Sequence, residues 1–90
     1  MHVLEQARKL LDGLGGIENI VDVEPCSTRV RVVVQSLDVV DPQALRLPEV
    51  LGIVMSGHVV QIVAGTVSND VAIHMRRIIG FIPEVARCAS

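Results

Sequence analysis

The sequence predicts an α+β domain, in which a four-stranded antiparallel sheet carries helices on one face in the order α-β-β-α-β-β-α. Amphipathic helical patterns lie near both ends of the chain, and four short valine-rich segments lie between them. The segments form two pairs with short connections, and short connections join antiparallel strands. One face of such a sheet stays open to solvent or to a partner.

The first half of the chain predicts one helix and two strands. Leucines and an alanine recur three or four positions apart over residues 2–14, which is the pattern of an amphipathic helix, and glycines then end it. Residues 20–24 are predicted as a short strand with alternating faces, ended by Pro25. Residues 29–35 form the clearest strand, because valines occupy every second position.

The middle of the chain predicts a short helix followed by a hairpin. Asp41 followed by Pro42 is a typical helix start, and Pro48 keeps this helix short. Residues 52–56 and 59–62 are predicted as strands that a Gly-His turn connects. The second strand pair of the sheet is therefore expected here.

The last helix is predicted to be capped by Thr66 or Ser68 and to end near Gly80. Its apolar residues recur at helical spacing and are expected to face the core. Residues 1–82 then form one domain, and residues 83–90 are expected to be a frayed tail.

Several other residues are predicted to be structural. The three histidines do not have the spacing of metal ligands, and Met55 and Met75 are predicted to fill the core. Arg76 and Arg77 are predicted to lie on a solvated helix face. The sequence therefore predicts no metal site and no cofactor.

Composition excludes several classes of function. Ninety residues, 50% of them apolar and 20% charged, predict one small globular domain. A net charge of −2 and a single aromatic residue argue against a nucleic-acid binder, which would use basic groups and stacking rings. No segment resembles a signal peptide or a membrane span. With only two cysteines, Cys26 and Cys88, and no CxxC pair, we expect free thiols and a cytoplasmic location.

The segment around Cys26 carries the chemistry. Cys26 is expected in the turn between two strands, and the hydroxyl residues Ser27 and Thr28 follow it. Arg29 and Arg31 are two positions apart on the next strand, so their side chains leave the same face, opposite to the core valines. We therefore expect a thiol on the open face of the sheet, surrounded by groups that bind anions.

Such a site suits a cysteine that carries a phosphoryl group. Nearby arginine charges lower the pKa of a thiol and raise its reactive thiolate fraction. The same charges stabilise a bound phosphate. Phosphoryl transfer mainly requires alignment and charge stabilisation, which a short loop and two arginines supply.

Three other interpretations fit parts of this segment. On residue types alone, a structural turn cysteine beside a solvated arginine face is about equally well supported. A cysteine phosphatase has a longer Cys-to-Arg spacing followed by a helix, whereas a strand follows here. A redox sensor needs a second thiol nearby, and Cys88 is far away in the sequence.

The chain resembles the EIIB domain of the glucose/N-acetylglucosamine branch of the sugar phosphotransferase system (PTS). Residues 26–31 (CSTRVR) are similar to the family's phosphorylation motif, in which a cysteine and a hydrophobic residue precede TRLR. Residues 15–20 (GGIENI) are similar to its GGxENI opening, and later glycine signatures follow in register. The resemblance extends over residues 7–79.

The resemblance implies a fold and a role for each matching residue. The family fold is a four-stranded antiparallel sheet with helices on one side. Cys26 would accept a phosphoryl group from a phosphohistidine of an EIIA protein and pass it to a sugar bound in the membrane-embedded EIIC partner. Arg29 and Arg31 would serve the second transfer, and Ser27 and Thr28 would cradle the phosphate. A peripheral position at the inner membrane face, through EIIC, follows from this.

Other positions qualify the resemblance. Gln61 falls on a family signature and is expected on a strand near the site. Ser27 stands where the family has an apolar residue, Pro25 precedes the cysteine, and Pro48 shortens the middle helix. None of these removes a reacting group. A second hypothesis is an EIIB-like interaction module without sugar transfer, whose phosphorylation state a transcriptional regulator reads.

Overall fold

The computed structural model describes residues 3–80, so the expectations for His2, Cys88 and the tail lie outside the described residues. Single turns of 3-10 helix precede β1, follow β2 and precede α2. Within the described range, no helix combines the length and the hydrophobicity needed to cross a membrane. The helices and strands are α1 (Val3–Gly13), β1 (Ile20–Cys26), β2 (Arg29–Val34), β3 (Gly52–Ser56), β4 (Val59–Val63) and α2 (Ser68–Ile79).

The four strands form one antiparallel sheet in the order β1-β2-β4-β3. The predicted α+β class with a four-stranded antiparallel sheet is therefore confirmed. The side chains of Val30, Val32 and Ile62 are fully buried on the face that packs against the helices. Arg29 and Arg31 are exposed on the other face, because side chains alternate along a strand.

The core between the sheet and the helices is aliphatic. Each helix contributes one apolar stripe, as the sequence predicts, and the segment between β2 and β3 contributes one leucine. Each fully buried aliphatic side chain contributes about 1.5–3 kcal/mol relative to an exposed one. The largest buried apolar residues are Leu10, Leu14, Val23, Val30, Val32, Val34, Leu45, Val60, Ile62, Val71 and Met75.

The predicted middle helix is wrong: the chain after Asp41 forms consecutive turns. The Asp41 carboxylate does accept a hydrogen bond from the Gln43 N–H at 3.1 Å, as a helix start would. The next three backbone hydrogen bonds, however, join residues three positions apart, and no four-apart ladder follows. Pro48 prevents these turns from continuing as an α-helix, because the residue before a proline disfavours helical geometry.

β1 departs from the predicted alternation and from its predicted end. The pairing register with β2 shifts between Ile20 and Asp22, which leaves Val21 50% exposed while Val23 is buried. A local β-bulge of this kind reverses the faces of the residues before it. β1 also continues through Pro25 to Cys26, since an edge strand tolerates a proline.

Neither Thr66 nor Ser68 caps α2, contrary to the prediction. The chain enters the helix through a 3-10 turn, so the N-cap position falls on Val67, which makes no side-chain hydrogen bond. Ser68 is inside the helix, and its buried hydroxyl has no hydrogen-bond partner among the described residues. Gly80, with φ of 83°, ends the helix in the left-handed conformation, as predicted.

Two further expectations for exposure are wrong. Met55 is 40% exposed, because it lies on the edge strand β3. The side chain of Arg76 is only 16% exposed, because it reaches from α2 to the edge of the sheet. There its guanidinium donates to the Val23 carbonyl and lies 3.9 Å from the Asp22 carboxylate. Arg76 therefore ties α2 to β1.

Candidate active site

Cys26 is the last residue of β1 and lies where β1 and β2 are joined. Val23 and Pro25 are buried on the core side, whereas Glu24 and Cys26 are half-buried on the open face. The Cα partner of Cys26 across the sheet is Arg29. The Cys26 sulfur is in a disulfide bond in the structure, whereas the sequence predicted a free thiol.

A two-residue turn, Ser27 and Thr28, connects the two strands. Ser27 has φ of 61° and is the one non-glycine residue in the described range with a positive φ. The Thr28 carbonyl accepts hydrogen bonds from the N–H groups of Ala64 at 3.1 Å and Gly65 at 3.0 Å. These bonds fix the turn against the end of β4, so the Cys26–Arg29 pair is held in place.

Arg29 and Arg31 both lie on the open face, and each guanidinium has a partner there. Nη1 of Arg29 donates to Oε1 of Gln61 at 2.8 Å. Nη1 of Arg31 donates to Oε1 of Glu24 at 3.5 Å. Glu24 and Gln61 are also the Cα partners of Arg31 on its two sides. The row Glu24–Arg31–Gln61 thus crosses three strands next to the Cys26–Arg29 pair.

These contacts position the cationic groups without burying them. The exposed Arg31–Glu24 ion pair contributes about 0–1 kcal/mol, because water screens it. A phosphate group carries nearly two negative charges and three acceptor oxygens, so it competes well for the same guanidinium groups. The geometry is therefore suited to recruiting Arg29 and Arg31 to an anion on the Cys26 side of the sheet.

The structure brings most of the predicted site residues together, and adds two groups that the sequence analysis missed. Gln61 lies beside Arg29 and Arg31 on the neighbouring strand. Glu24 was not predicted, although its spacing of two from Cys26 already indicated a shared face. The role of the Thr28 carbonyl had no sequence signal, because its partners are main-chain groups distant in sequence.

Ser27→Gly is expected to stabilise the protein by about 1 kcal/mol, since glycine adopts a positive φ without strain. Thr28→Gly is the matched control, because Thr28 is the other turn residue and has no positive φ. That change is expected to destabilise the protein by about 0.5–1 kcal/mol, because glycine raises the conformational entropy of the unfolded chain. Urea unfolding of both variants measures the difference, and equal effects would contradict the assignment of strain to Ser27.

Three comparisons with known proteins bear on this site. Residues 8–41 match the family model of the phosphotransferase system, EIIB. The chain is 39% identical to the PTS system N-acetylglucosamine-specific EIIB component of Streptomyces coelicolor, over 74% of this chain and 87% of that protein. It is 33% identical to the PTS system arbutin-, cellobiose-, and salicin-specific EIIBC component of Escherichia coli, over 86% of this chain but only 16% of that protein.

The fold also matches a solved structure. One domain of the PTS system IIabc component from Clostridium difficile superposes with a TM-score of 0.78 and 22% identity, over 94% of this chain and 92% of that chain. At that identity the match supports the fold. The Streptomyces relative matches along most of its own length, and the family model spans β1, the turn and β2. The chain belongs to the EIIB family of the phosphotransferase system.

Proposed function

We propose that the chain is the phosphocarrier of a sugar PTS, in which the reduced Cys26 carries a phosphoryl group from EIIA to a sugar bound in EIIC. The observation that supports this most is the position of Cys26 opposite Arg29 on the open face, beside Arg31 and Gln61. Membership in the EIIB family supports the phosphotransfer role. Reduction of Cys26 is part of the proposal, because the thiolate is the nucleophile.

The first transfer moves the phosphoryl group onto sulfur. The Cys26 thiolate attacks the phosphorus of a phosphohistidine on EIIA, so the S–P bond forms while the P–N bond breaks. The electron pair of the P–N bond stays on the histidine ring. Arg29 faces Cys26 across the two strands and stabilises the charge that the phosphate brings. The Ser27 and Thr28 hydroxyls complete the cradle.

The second transfer moves the phosphoryl group to the sugar. A sugar hydroxyl attacks the phosphorus, the S–P bond breaks, and the thiolate leaves with its electron pair. The hydroxyl proton passes to a base on the EIIC side. In this step the Arg29 guanidinium exchanges its contact with Gln61 for the phosphate oxygens, and the Arg31 guanidinium exchanges its contact with Glu24 for them. The Streptomyces coelicolor relative is named for N-acetylglucosamine, which is therefore the first sugar to test.

The decisive experiment incubates the reduced chain with phosphorylated EIIA proteins. We expect the intact mass to rise by one phosphoryl group, which peptide mapping locates at Cys26, and the Cys88→Ser variant to behave like the wild type. A reduced chain that takes no phosphoryl group from any EIIA donor would contradict the proposal. Adding EIIC membranes and sugar then separates the two hypotheses: turnover supports the carrier, and a stable phosphocysteine without turnover supports the regulatory module.

Arg29→Lys and Arg31→Lys are each expected to slow transfer to the sugar by about 10–100-fold, because lysine loses the planar fork that binds two phosphate oxygens at once. Acceptance from EIIA is expected to change by less than about threefold, since the positive charge remains. Quenched-flow measurement of the two half-reactions separates the effects. Arg46→Lys, at an exposed position outside the site, is the control. Equal losses in both half-reactions would refute a role specific to the second transfer.

A further inference from the structure

The two edges of the sheet differ in how they are protected against pairing. Four features of β1 disfavour pairing with a further strand: the register shift, Pro25, Asp22 and Glu24. In addition, the Arg76 guanidinium donates to the Val23 carbonyl. The edge formed by β1 is therefore closed to strand addition.

The β3 edge has none of these protections within the described chain. Its five residues (GIVMS) include no charge and no proline, and its register with β4 is regular. Val54 is 49% exposed, Met55 is 40% exposed, and the preceding Leu51 is 75% exposed. Alternate residues of an edge strand direct their backbone N–H and C=O groups outward. Among residues 3–80 no strand pairs with this edge, so β3 presents both backbone hydrogen-bonding groups and apolar side chains.

We propose that β3 pairs antiparallel with β3 of a second copy of this chain, about a two-fold axis at Val54. The pairing joins two four-stranded sheets into one sheet of eight strands. A two-fold axis requires a self-complementary surface. In this register Val54 faces the partner's Val54, and Ile53 faces the partner's Met55. Every cross-strand pair is then uncharged, which favours a second copy over a charged partner strand.

The contact is small, and this limits its strength. A five-residue strand pair falls below the roughly 1,200–2,000 Å² that stable interfaces bury, so we expect a weak, concentration-dependent dimer. The strand order places β1 farthest from the joint in each copy. With strands about 4.8 Å apart, the two β1 strands are about 34 Å from each other, so the two Cys26 positions are at least that far apart on the same face. Dimerisation therefore leaves both sites accessible to EIIA and EIIC.

Sedimentation velocity of the reduced, full-length chain over a range of concentrations tests the proposal. We expect a reversible monomer–dimer equilibrium, which Val54→Lys weakens by at least about tenfold because it brings like charges together at the axis. Val21→Lys is the matched control: it makes the same change at an exposed valine of the β1 edge and is expected to leave the equilibrium unchanged.

Amide hydrogen exchange shows which strand forms the dimer interface. We expect protection of the β3 amides to rise with protein concentration in the wild type but not in Val54→Lys. A chain that stays monomeric at the highest concentration, or a dimer that Val21→Lys weakens as much as Val54→Lys does, would overturn the proposal. Binding of a different partner strand at β3 without self-association would overturn the choice of occupant.

Discussion

Cys26→Ser is expected to abolish phosphoryl acceptance and sugar phosphorylation, with a rate loss of about 10³-fold or more. A serine hydroxyl is a weak nucleophile at neutral pH and needs an adjacent general base, whereas a thiol supplies its own thiolate. Neither described histidine is suitably placed to act as that base. His58 contacts the Val34 carbonyl at the opposite end of β2, and His74 contacts the Asp70 carbonyl on α2.

Intact-mass measurement after incubation with phosphorylated EIIA gives the result directly. Cys88→Ser is the matched control, since it removes the other thiol of the chain and is expected to accept the phosphoryl group normally under reducing conditions. Urea unfolding of both variants in reductant checks that each is folded. If Cys26→Ser accepts a phosphoryl group at the wild-type rate, Cys26 is not the carrier.

The fold was predictable where one periodicity determined it. β2 is an example, because its valines alternate with Arg29, Arg31 and Val33, and the two faces follow from the sequence alone. β1 was less predictable, because the register shift near Val21 depends on how β1 pairs with β2. The predicted cap of α2 was wrong, because a 3-10 turn that begins at Gly65 changed where the helix starts. Local signals identified the elements, and tertiary pairing set their boundaries.

The site was predictable in its residue types and less so in its contacts. The spacing of Arg29 and Arg31 correctly indicated one shared, exposed face. The resemblance to a known family indicated Gln61, whose hydrogen bond to Arg29 depends on β4 lying next to β2. The disulfide bond of Cys26 was not predicted, because a chain with two cysteines and no CxxC pair indicated free thiols. Contacts between strands that are distant in sequence could be identified only from the folded structure.

Asn19→Ala is expected to destabilise the protein by about 2–4 kcal/mol, because it leaves several buried groups without partners. The Asn19 side chain donates to the Leu14 carbonyl at 2.7 Å and to the Ser36 carbonyl at 2.9 Å, and it accepts from the Ser36 N–H at 3.0 Å. Asn19 is 6% exposed, so water replaces these bonds poorly. One amide thus joins the end of α1, the start of β1 and the end of β2.

Urea unfolding in reductant measures this loss as a shift of the midpoint at constant slope. Asn69→Ala is the matched control, because Asn69 is exposed on α2 and its replacement is expected to change the free energy of unfolding by less than about 0.5 kcal/mol. Asn19→Asp should be at least as damaging as Asn19→Ala, since it keeps the acceptor for Ser36 N–H but sets a carboxylate against two carbonyl oxygens. If Asn19→Asp were as stable as the wild type, the two donated bonds would contribute nothing, and the joining of α1 to the sheet would rest on apolar packing alone.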